Sequence, residues 1–305
     1  MFAKRFYDYN SFLKYKFGQK IYKISLDAGF SCPNIDGTKG YGGCIYCNNK
    51  SFSPAHRYRD ISLKDQIEIG KKVGKRYKAK KFIAYFQAHT NTHANVEKLE
   101  KIYQQVLQDD DIVGIAIGTR PEAVNKEKIE LLQSIAEKYF VSIEYGVQSI
   151  NNDTLKWINR QHTYQDFEKA MKLTTGKDIH ICAHIMLGFP NENRKQIIET
   201  SSKMNRIGIN GIKLHNLLIT KDTELEKLYQ KEKFHLFGFE DYVKLVCDFV
   251  ERLSPKIVCE RLYANTSDDF LIAPKWNKSS VQILDAIVNE FKQRNSFQGF
   301  KYIDL

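Results

Sequence analysis

The stretch "IYKISLDAGFSCPNIDGTKGYGGCIYCNN", residues 21–49, joins a strand-like segment directly to a loop that holds three cysteines. Residues 21–26 are rich in the β-branched and aromatic side chains that strands prefer. The loop then places Cys32, Cys44 and Cys47 within sixteen residues. Four glycines interrupt the loop, which lets the backbone turn sharply and approach a bound group closely. The stretch therefore predicts a strand followed by a thiol-rich binding loop.

Strand-like and helix-like segments alternate after this loop. The apolar residues of 62–77 and 95–108 recur at the helical period. Counted with 21–26, six strand-helix units indicate a parallel sheet with right-handed crossovers, and six are fewer than the eight that close a full barrel. We therefore predict an α/β fold, a partial (β/α)6 TIM barrel over residues 21–221 with a lateral opening. The further strand candidates are 81–87, 112–119, 140–148, 178–187 and 211–219.

The pattern differs on both sides of this predicted barrel. Residues 1–20 form a basic and aromatic N-terminal segment. After residue 222, helical patterns flank a strand-like segment, "KIVCERLY", at 256–263. We interpret residues 222–305 as a C-terminal α/β extension that covers the barrel opening.

Composition limits the class of protein. Lys and Arg outnumber Asp and Glu by 47 to 36, a net charge of +11, which favours polyanionic partners, although a solvated basic surface gives the same numbers. No apolar run approaches the roughly eighteen residues that indicate a membrane span. The N-terminus lacks the apolar region of a signal peptide. We expect a globular cytoplasmic protein, with no membrane partner and with reduced thiols.

Three clustered cysteines in a reducing compartment favour metal binding over a disulfide. One interpretation is a structural zinc held by Cys32, Cys44, Cys47 and a fourth ligand such as His56. The other is an iron–sulfur cluster that uses the three thiolates and leaves one iron open. The spacing alone does not choose between them, and a purely structural role for the cysteines is a third possibility. A loop that follows a barrel strand lies at the catalytic end, which suits a reactive centre.

Seven motifs together resemble one branch of a known superfamily. Residues 25–49 are similar to the cluster loop of the YtqA/YhcC-like radical S-adenosylmethionine (SAM) enzymes, a branch with the coproporphyrinogen-dehydrogenase/Elongator-like core. This branch has Cys-x11-Cys-x2-Cys where the superfamily usually has Cys-x3-Cys-x2-Cys, and the chain matches the longer spacing. The other motifs are "YFQAHTNTHA" (85–94), "IGTRPEAV" (117–124), "EYGVQS" (144–149), "NRQHT" (159–163), "GFP" (188–190) and "LIAPKW" (271–276).

The resemblance implies a cofactor pair. Cys32, Cys44 and Cys47 would bind three irons of a [4Fe–4S] cluster, and the fourth iron would bind SAM. An electron from a donor such as flavodoxin or ferredoxin would cleave SAM to methionine and a 5′-deoxyadenosyl radical, which abstracts hydrogen from the substrate. The protein itself positions these groups and excludes side reactions.

The same resemblance implies a SAM-binding set. Gln148 would bind the ribose, Arg160 the carboxylate, and the Tyr46 backbone would lie near the adenine. Five of these residues also have a plain structural interpretation: Tyr46 as a packing aromatic, Glu144 as a satisfied strand carboxylate, Thr119 as a strand end, Arg160 as a solvated helix-end charge and His184 as a core histidine. His184 stands where related enzymes often have aspartate. The implied set is Tyr46, Thr119, Glu144, Gln148, Arg160 and His184.

Three further polar residues are candidates for the substrate side of the cavity. They are Gln87, His89 and Arg120, at predicted strand ends. His89 and His93 lie four apart, but the Thr-Asn-Thr sequence between them indicates a loop and not a second metal site on a helix. The remaining cysteines lie in apolar periodic segments and are predicted core residues: Cys182, Cys247 and Cys259.

Members of the YtqA-like branch are associated with the tRNA wobble uridine. The resemblance implies conversion of 5-carboxymethylaminomethyl-uridine to 5-aminomethyl-uridine, with tRNA as the partner. An anticodon loop presents splayed bases that a pocket can take in. Two alternatives stay open: a radical SAM oxidoreductase of a small, porphyrin-like molecule, and a zinc-stabilised RNA-binding protein without catalysis.

Overall fold

A curled, seven-stranded parallel sheet organises the chain in the computed structural model, which describes residues 4–303 apart from the side chain of Pro54. The strand order is β1-β2-β3-β4-β5-β6-β8, and every neighbouring pair is parallel. A two-stranded antiparallel pair, β7-β9, lies beside it. The strands are β1 (Ile21–Leu26), β2 (Lys81–Phe86), β3 (Ile112–Thr119), β4 (Phe140–Gln148), β5 (His180–Leu187), β6 (Gly211–Asn216), β7 (Ile219–Thr220), β8 (Val258–Arg261) and β9 (Leu271–Ala273).

Helices connect successive strands, as right-handed crossovers between parallel strands require. Most begin at a polar side chain that accepts a backbone N–H, such as Ser62 before α3 and Asn193 before α8. The helices are α1 (Tyr9–Phe17), α2 (Asn49–Phe52), α3 (Leu63–Arg76), α4 (Val96–Leu107), α5 (Lys126–Ala136), α6 (Asn152–Trp157), α7 (Tyr164–Thr174), α8 (Arg194–Ile207), α9 (Glu224–Lys231), α10 (Phe239–Val250) and α11 (Ser280–Gln293), with 3-10 turns at Pro54–Tyr58 and Pro121–Ala123.

Strand β4 shows how side-chain alternation separates the two faces of the sheet. Val141, Ile143 and Tyr145 point outward and belong to the main core that the helices cover. Phe140 and Glu144 point to the concave side, where Phe140 packs near the strand N-termini and Glu144 meets lysines from other strands. The apolar bottom of the half-barrel thus gives way to a polar interior above it.

The N-terminal helix α1 lies beneath the half-barrel, next to its two edge strands, β1 and β8. It contacts both β1 and β8, and Leu13 is buried against Ile83 and Phe140. The Phe12 ring also stacks on His180, with centroids 4.9 Å apart. The described part of the predicted 1–20 segment therefore covers the apolar bottom of the barrel, while residues 1–3 lie outside the described residues.

The structure changes two details of the predicted strands. The strand expected at 211–219 is wrong in its length, because β6 ends at Asn216 and the chain leaves the sheet before it forms β7. The side chain of Asn216 binds the amide of Ala264 at 2.9 Å, which fixes this exit. The strand predicted at 256–263 is present as β8, and it joins the main sheet beside β6 as a seventh parallel strand.

The partial-barrel prediction is confirmed, since seven parallel strands curl without closing. Within the described part of the C-terminal segment, α10 and α11 pack on each other; residues 304 and 305 lie outside it. The assignment of residues 222–305 as a separate covering extension stays a prediction. Among residues 4–303, no helix has the length and apolar character to cross a membrane.

Candidate functional site

The long gap between Cys32 and Cys44 folds into a compact lobe. Its two arms meet where the amide of Gly43 donates to the carbonyl of Asn34 at 2.8 Å. Asn159, just after α6, fixes the lobe from outside: its side chain donates to the Gly43 carbonyl at 2.8 Å, and its carbonyl accepts from Asn34 Nδ2 at 2.6 Å. The lobe therefore brings the chain back toward Cys32. The longer spacing in sequence does not move Cys44 away from Cys32 in space.

Cys44 lies at the centre of a group of hydrogen-bond donors. Arg160 Nη1 lies 3.4 Å from its sulfur, Asn34 Nδ2 lies 3.6 Å away and Arg120 Nη1 lies 3.8 Å away. Burial alone would raise the pKa of the Cys44 thiol, but the charges of Arg160 and Arg120 outweigh it and the pKa is lowered. Arg120 Nη1 also lies 4.0 Å from the sulfur of Cys32. The chain thus supplies positive charge around a sulfur-rich, anionic centre.

The other loop groups do not form the zinc site that was one interpretation of the spacing. His56, the proposed fourth ligand, has its Nδ1 3.6 Å from Asp27 Oδ2 instead. Within residues 4–303, no three His, Cys, Asp or Glu side chains converge as ligands of one metal ion. An iron–sulfur cube does not require that convergence, because its thiolates bind different irons.

A cavity of about 220 Å³ opens beside the three cysteines at the carboxyl ends of the strands. Every one of the twelve residues predicted for the site lines it, although they come from segments spread over 150 residues of sequence. Parallel strands bring these distant loops to one end of the sheet. They are Cys32, Cys44, Tyr46, Cys47, Gln87, His89, Thr119, Arg120, Glu144, Gln148, Arg160 and His184.

Arg160 is held rigidly between the cysteine loop and β4. Its Nη2 donates to the Gly146 carbonyl at 2.6 Å, and its Nε donates to His162 Nε2 at 2.9 Å. A side chain at Gly146 would collide with the guanidinium, since a Cβ there would lie 2.7 Å from Arg160 Nη2. Burial, with the nearby charge of Arg160, lowers the pKa of His162 to about 4, so His162 accepts this bond as a neutral ring. The neighbouring Gln148 has the left-handed φ of 70°, which turns the strand end toward the cavity.

Arg120 is fixed by a different set of partners. Its Nε donates to Glu122 Oε1 at 2.5 Å, and its Nη2 donates to the carbonyl of Arg160. Burial alone would raise the pKa of Glu122, but the charge of Arg120 holds it below its usual range. The Arg120 guanidinium therefore faces the cysteines while it is hydrogen-bonded to Glu122 and to the Arg160 carbonyl.

Glu144 lies at the centre of a buried charge network inside the half-barrel. Lys23 donates to its Oε1 at 2.6 Å, Lys213 donates to its Oε2, and His184 Nε2 lies 2.9 Å from Oε2. Glu260 completes the network, with Oε2 3.6 Å from Lys23 and 3.8 Å from Lys213. Burial opposes ionisation of Glu144, but the two lysines outweigh it and hold its pKa well below the usual range. His184 is thus fixed by a structural carboxylate on the cavity wall.

The strand-end polar residues are tied to neighbouring loops. Gln87 Nε2 donates to the Phe52 carbonyl at 3.0 Å, which anchors α2 to the barrel. Asn49 Nδ2 donates to His89 Nδ1 at 3.2 Å, and burial lowers the pKa of that histidine. The Thr119 hydroxyl is hydrogen-bonded to the Thr92 hydroxyl at 2.6 Å.

His93 and the Tyr46 side chain contact other parts of the chain, although Tyr46 also lines the cavity. His93 Nε2 lies 2.9 Å from Asp36 Oδ2, so it forms no pair with His89. The Tyr46 side chain packs with the apolar cluster that contains Trp157. The predicted core positions are confirmed, since Cys182, Cys247 and Cys259 are all buried.

A wider cleft of about 570 Å³ adjoins the cavity on the side where β1 and β8 leave the sheet open. Lys23 and Lys213 reach it from inside, and Ser280 and Leu284 of α11 lie on its outer rim. The cavity and the cleft share part of their walls, so the cleft lies directly beside the cysteine-lined cavity. The shared residues are Phe52, Tyr85, Gln87, Arg261 and Asn265.

A parallel half-barrel with a thiol-lined cavity at its carboxyl ends defines a class of α/β cofactor enzymes. The model of the radical SAM superfamily matches residues 38–204, and that of the Radical_SAM C-terminal domain matches residues 209–293. The chain therefore belongs to the radical SAM superfamily. Members of this family bind a [4Fe–4S] cluster and S-adenosylmethionine, and the donors around Cys44 suit such a centre.

Full-length relatives support the same family. The chain is 35% identical to "Uncharacterized protein YtqA" of Bacillus subtilis over 97% of its own length and 92% of the relative's. It is 33% identical to "Protein YhcC" of Escherichia coli, covering 93% and 92%. The sequence resemblance to the YtqA/YhcC-like branch is confirmed.

More distant similarities are partial. The chain is 27% identical to the tRNA uridine(34) acetyltransferase of Methanocaldococcus infernus over 153 residues, 48% of this chain and 27% of that protein. The structure of Elp3 from Methanocaldococcus infernus superposes with a TM-score of 0.68 at 16% identity, covering 91% of this chain and 64% of that one. This superposition shows the shared fold.

Several functional groups of the site were missed by the sequence reasoning. Lys23, Lys213 and Glu260 are charges within otherwise apolar strands, a signal that could have identified them. His162 and Asn34 act through Arg160 and Cys44, and nothing in their local sequence marks this. Their contacts arise only when distant loops meet.

Proposed function

We propose that this radical SAM enzyme modifies the wobble uridine of tRNA. The reaction converts 5-carboxymethylaminomethyl-uridine to 5-aminomethyl-uridine through loss of the carboxymethyl group. Hydrogen abstraction from the methylene between the nitrogen and the carboxylate would give a radical that the adjacent nitrogen stabilises. Return of one electron from this radical to the cofactor centre and hydrolysis of the resulting imine would then break the C–N bond and release the carboxymethyl group as glyoxylate. The bound cluster and SAM supply the abstracting radical when an electron donor such as flavodoxin or ferredoxin reduces the centre.

One observation carries the proposal: the lateral cleft and the cysteine-lined cavity are neighbours that share five lining residues. A nucleotide splayed from an anticodon loop can enter by this route while the rest of the tRNA stays outside. The relative named tRNA uridine(34) acetyltransferase, which acts on the same nucleotide position, supports this substrate class. The net charge of +11 suits a polyanionic partner, and tRNA places the enzyme in the cytoplasm.

The proposed roles of the site residues follow from their positions. We propose that Cys32, Cys44 and Cys47 hold the cluster and that Arg160 binds the SAM carboxylate as a fixed, planar donor. Gln148 would bind the ribose and the Tyr46 backbone would face the adenine. The candidates for the substrate side are His89 and Gln87, whereas Arg120 supports the cluster side through its contact with Cys44. Glu144, Thr119 and His184 hold the cavity wall in place.

Mass spectrometry of tRNA nucleosides tests the proposal. Cells that lack the gene should accumulate 5-carboxymethylaminomethyl-uridine and lose 5-aminomethyl-uridine, and the wild-type gene should restore the profile. A gene encoding Cys44→Ala is the matched control and should restore nothing. An unchanged nucleoside profile in the deletion strain would refute the wobble-uridine proposal and leave a small-molecule substrate as the alternative.

A further inference from the structure

Arg261 lies where the cavity beside the cysteines meets the lateral cleft. It is the last residue of β8, at the carboxyl end of the strand, and it lines both spaces. Its side chain is exposed. A substrate that enters from the side toward the cysteine loop therefore passes this guanidinium.

The other cations around these spaces are already engaged. Lys23 and Lys213 share Glu144 and Glu260, Lys4 pairs with Asp8 at 3.3 Å, and Arg120 pairs with Glu122. Arg160 is bonded to the Gly146 carbonyl, His162 and Cys44, and its remaining N–H groups are the ones proposed for the SAM carboxylate. Among the described residues, 4–303, no side-chain hydrogen bond or ion pair is formed by Arg261.

Two unpartnered polar atoms lie on the same wall of the cavity. The Nε2 of His215 and the Nδ2 of Asn216 are buried and have no hydrogen-bond partner among the described residues. Both residues line the cavity from the end of β6, the strand that pairs with β8. Burial, with the charge of Arg261, holds the pKa of His215 well below its usual range. The His215 ring is therefore neutral, and in its Nε2–H tautomer it donates one hydrogen bond from Nε2.

A guanidinium, an imidazole N–H and an amide NH₂ together make a set of donors without an acceptor. The buried donors of His215 and Asn216 are costly without partners, and together with the charge of Arg261 they indicate a ligand that supplies anionic oxygens. Two sources offer that chemistry in a tRNA: a backbone phosphate and the carboxylate of the modified base. A phosphate stays with the backbone outside, whereas Arg261 lines the cavity beside the cysteines as well as the cleft.

We propose that Arg261, with His215 and Asn216, forms a subsite for the carboxylate of the wobble side chain, an inference that rests on the proposed function. Holding the carboxylate at the junction leaves the neighbouring methylene inside the cavity that the three cysteines line. The subsite would also reject uridines without the carboxylate, because its donors would then stay unpaired. Arg261 is thus a specificity-determining residue.

Binding of two tRNAs to the anaerobically prepared holoenzyme tests this subsite. One tRNA has 5-carboxymethylaminomethyl-uridine at the wobble position, and the other is the same transcript without the modification. Arg261→Gln should weaken binding of the first about 10- to 100-fold, the range of a charged hydrogen-bonded contact, and should change binding of the second less than about twofold. Arg261→Lys keeps the positive charge but not the planar guanidinium, so its loss of affinity for the modified tRNA should be intermediate. Arg206→Gln, which removes an exposed arginine on α8, is the charge-matched control.

Several results would overturn the inference. Equal weakening of both tRNAs by Arg261→Gln would assign the contact to a phosphate, and no weakening would leave Arg261 without a ligand role. Loss of SAM binding by Arg261→Gln would place the residue in the cofactor site. If cells lacking the gene accumulate the modified uridine but the variant binds both tRNAs as the wild type does, the subsite is wrong and the proposed function stands. An unchanged nucleoside profile in cells lacking the gene would refute both the proposed function and the subsite.

Discussion

Cys44 is buried, and among the three loop thiols it has the largest number of donors around it. Its replacement by alanine removes one of the three proposed cluster ligands. We expect Cys44→Ala to lower reductive SAM cleavage at least about a hundredfold, because a cluster with two thiolates is not held in place. Methionine and 5′-deoxyadenosine released under anaerobic reduction are the measurement. Cys247→Ala, in the core of α10, is the control and should keep full cleavage; wild-type turnover by Cys44→Ala would contradict the assignment.

Glu260 makes the stability of the protein depend on pH. Burial alone would raise its pKa, but Lys23, His180 and Lys213 outweigh this and lower the pKa to about 2. The unfolded chain has the ordinary glutamate pKa near about 4.3, so the stabilisation is full above that value and is lost as the pH falls toward about 2. Urea unfolding between these pH values should show a smaller loss of stability for Glu260→Gln than for the wild type. An equal loss of stability with falling pH in Glu260→Gln and the wild type would contradict the charge network. The control is Glu137→Gln, which changes an exposed glutamate.

Residue types and motifs were enough to predict which side chains would line the cavity, but not what each one contacts. Thr119 and Glu144 were expected near the cofactor, and the structure shows both engaged in bonds within the protein. Arg261 could not be distinguished from any other surface arginine. Among the described residues, Arg261 is left unpaired because the five other cations around the cavity and the cleft find partners, and this is a property of the folded interior.

At the scale of elements, helix α3 approaches β1 unusually closely through its glycines. A Cβ at Gly74 would lie 2.6 Å from Phe82 Cε1, and a Cβ at Gly70 would collide with Ile24. The two glycines lie four residues apart, so they share the face that meets the sheet. Their lack of a side chain sets the spacing between helix and sheet.

Replacing Gly70 by alanine tests this close approach. Alanine improves helix propensity by up to about 1 kcal/mol, but the collision with Ile24 should cost about 1 to 3 kcal/mol and outweigh it. Chemical denaturation should therefore show lower stability for Gly70→Ala, and the double variant with Ile24→Ala should lose less than the sum of the two single losses. Stabilisation by Gly70→Ala would contradict the packing. Lys72→Ala, on the exposed face of α3, is the control.

The positions of the strands could be predicted because hydrophobic periodicity is a local property of the sequence. The pairing between strands is not local, so it could not be predicted in the same way. The segment at 256–263 is visible as a strand, but its place beside β6 depends on a connection of about forty residues. The exit of the chain at Asn216 was missed for the same reason: the apolar run continues in sequence while the hydrogen bonds change partners.

At the scale of the whole molecule, the charge of +11 predicts salt-sensitive tRNA binding. Each phosphate contact releases bound counterions, so affinity falls as salt rises. Between about 50 and about 200 mM salt we expect the tRNA dissociation constant to increase about tenfold or more. Fluorescence anisotropy with labelled tRNA measures it, with a neutral small ligand as the control. An affinity independent of salt would favour the small-molecule alternative.

The proposed chemistry depends most on the three loop cysteines, whose sulfurs would hold a cluster with one iron open to SAM. Electron paramagnetic resonance of the reduced, anaerobically reconstituted protein tests this directly, together with its iron and sulfide content. The account predicts about four irons and four sulfides per chain, and a spectrum that changes when SAM is added. Zinc in place of iron, or a spectrum that SAM leaves unchanged, would contradict it.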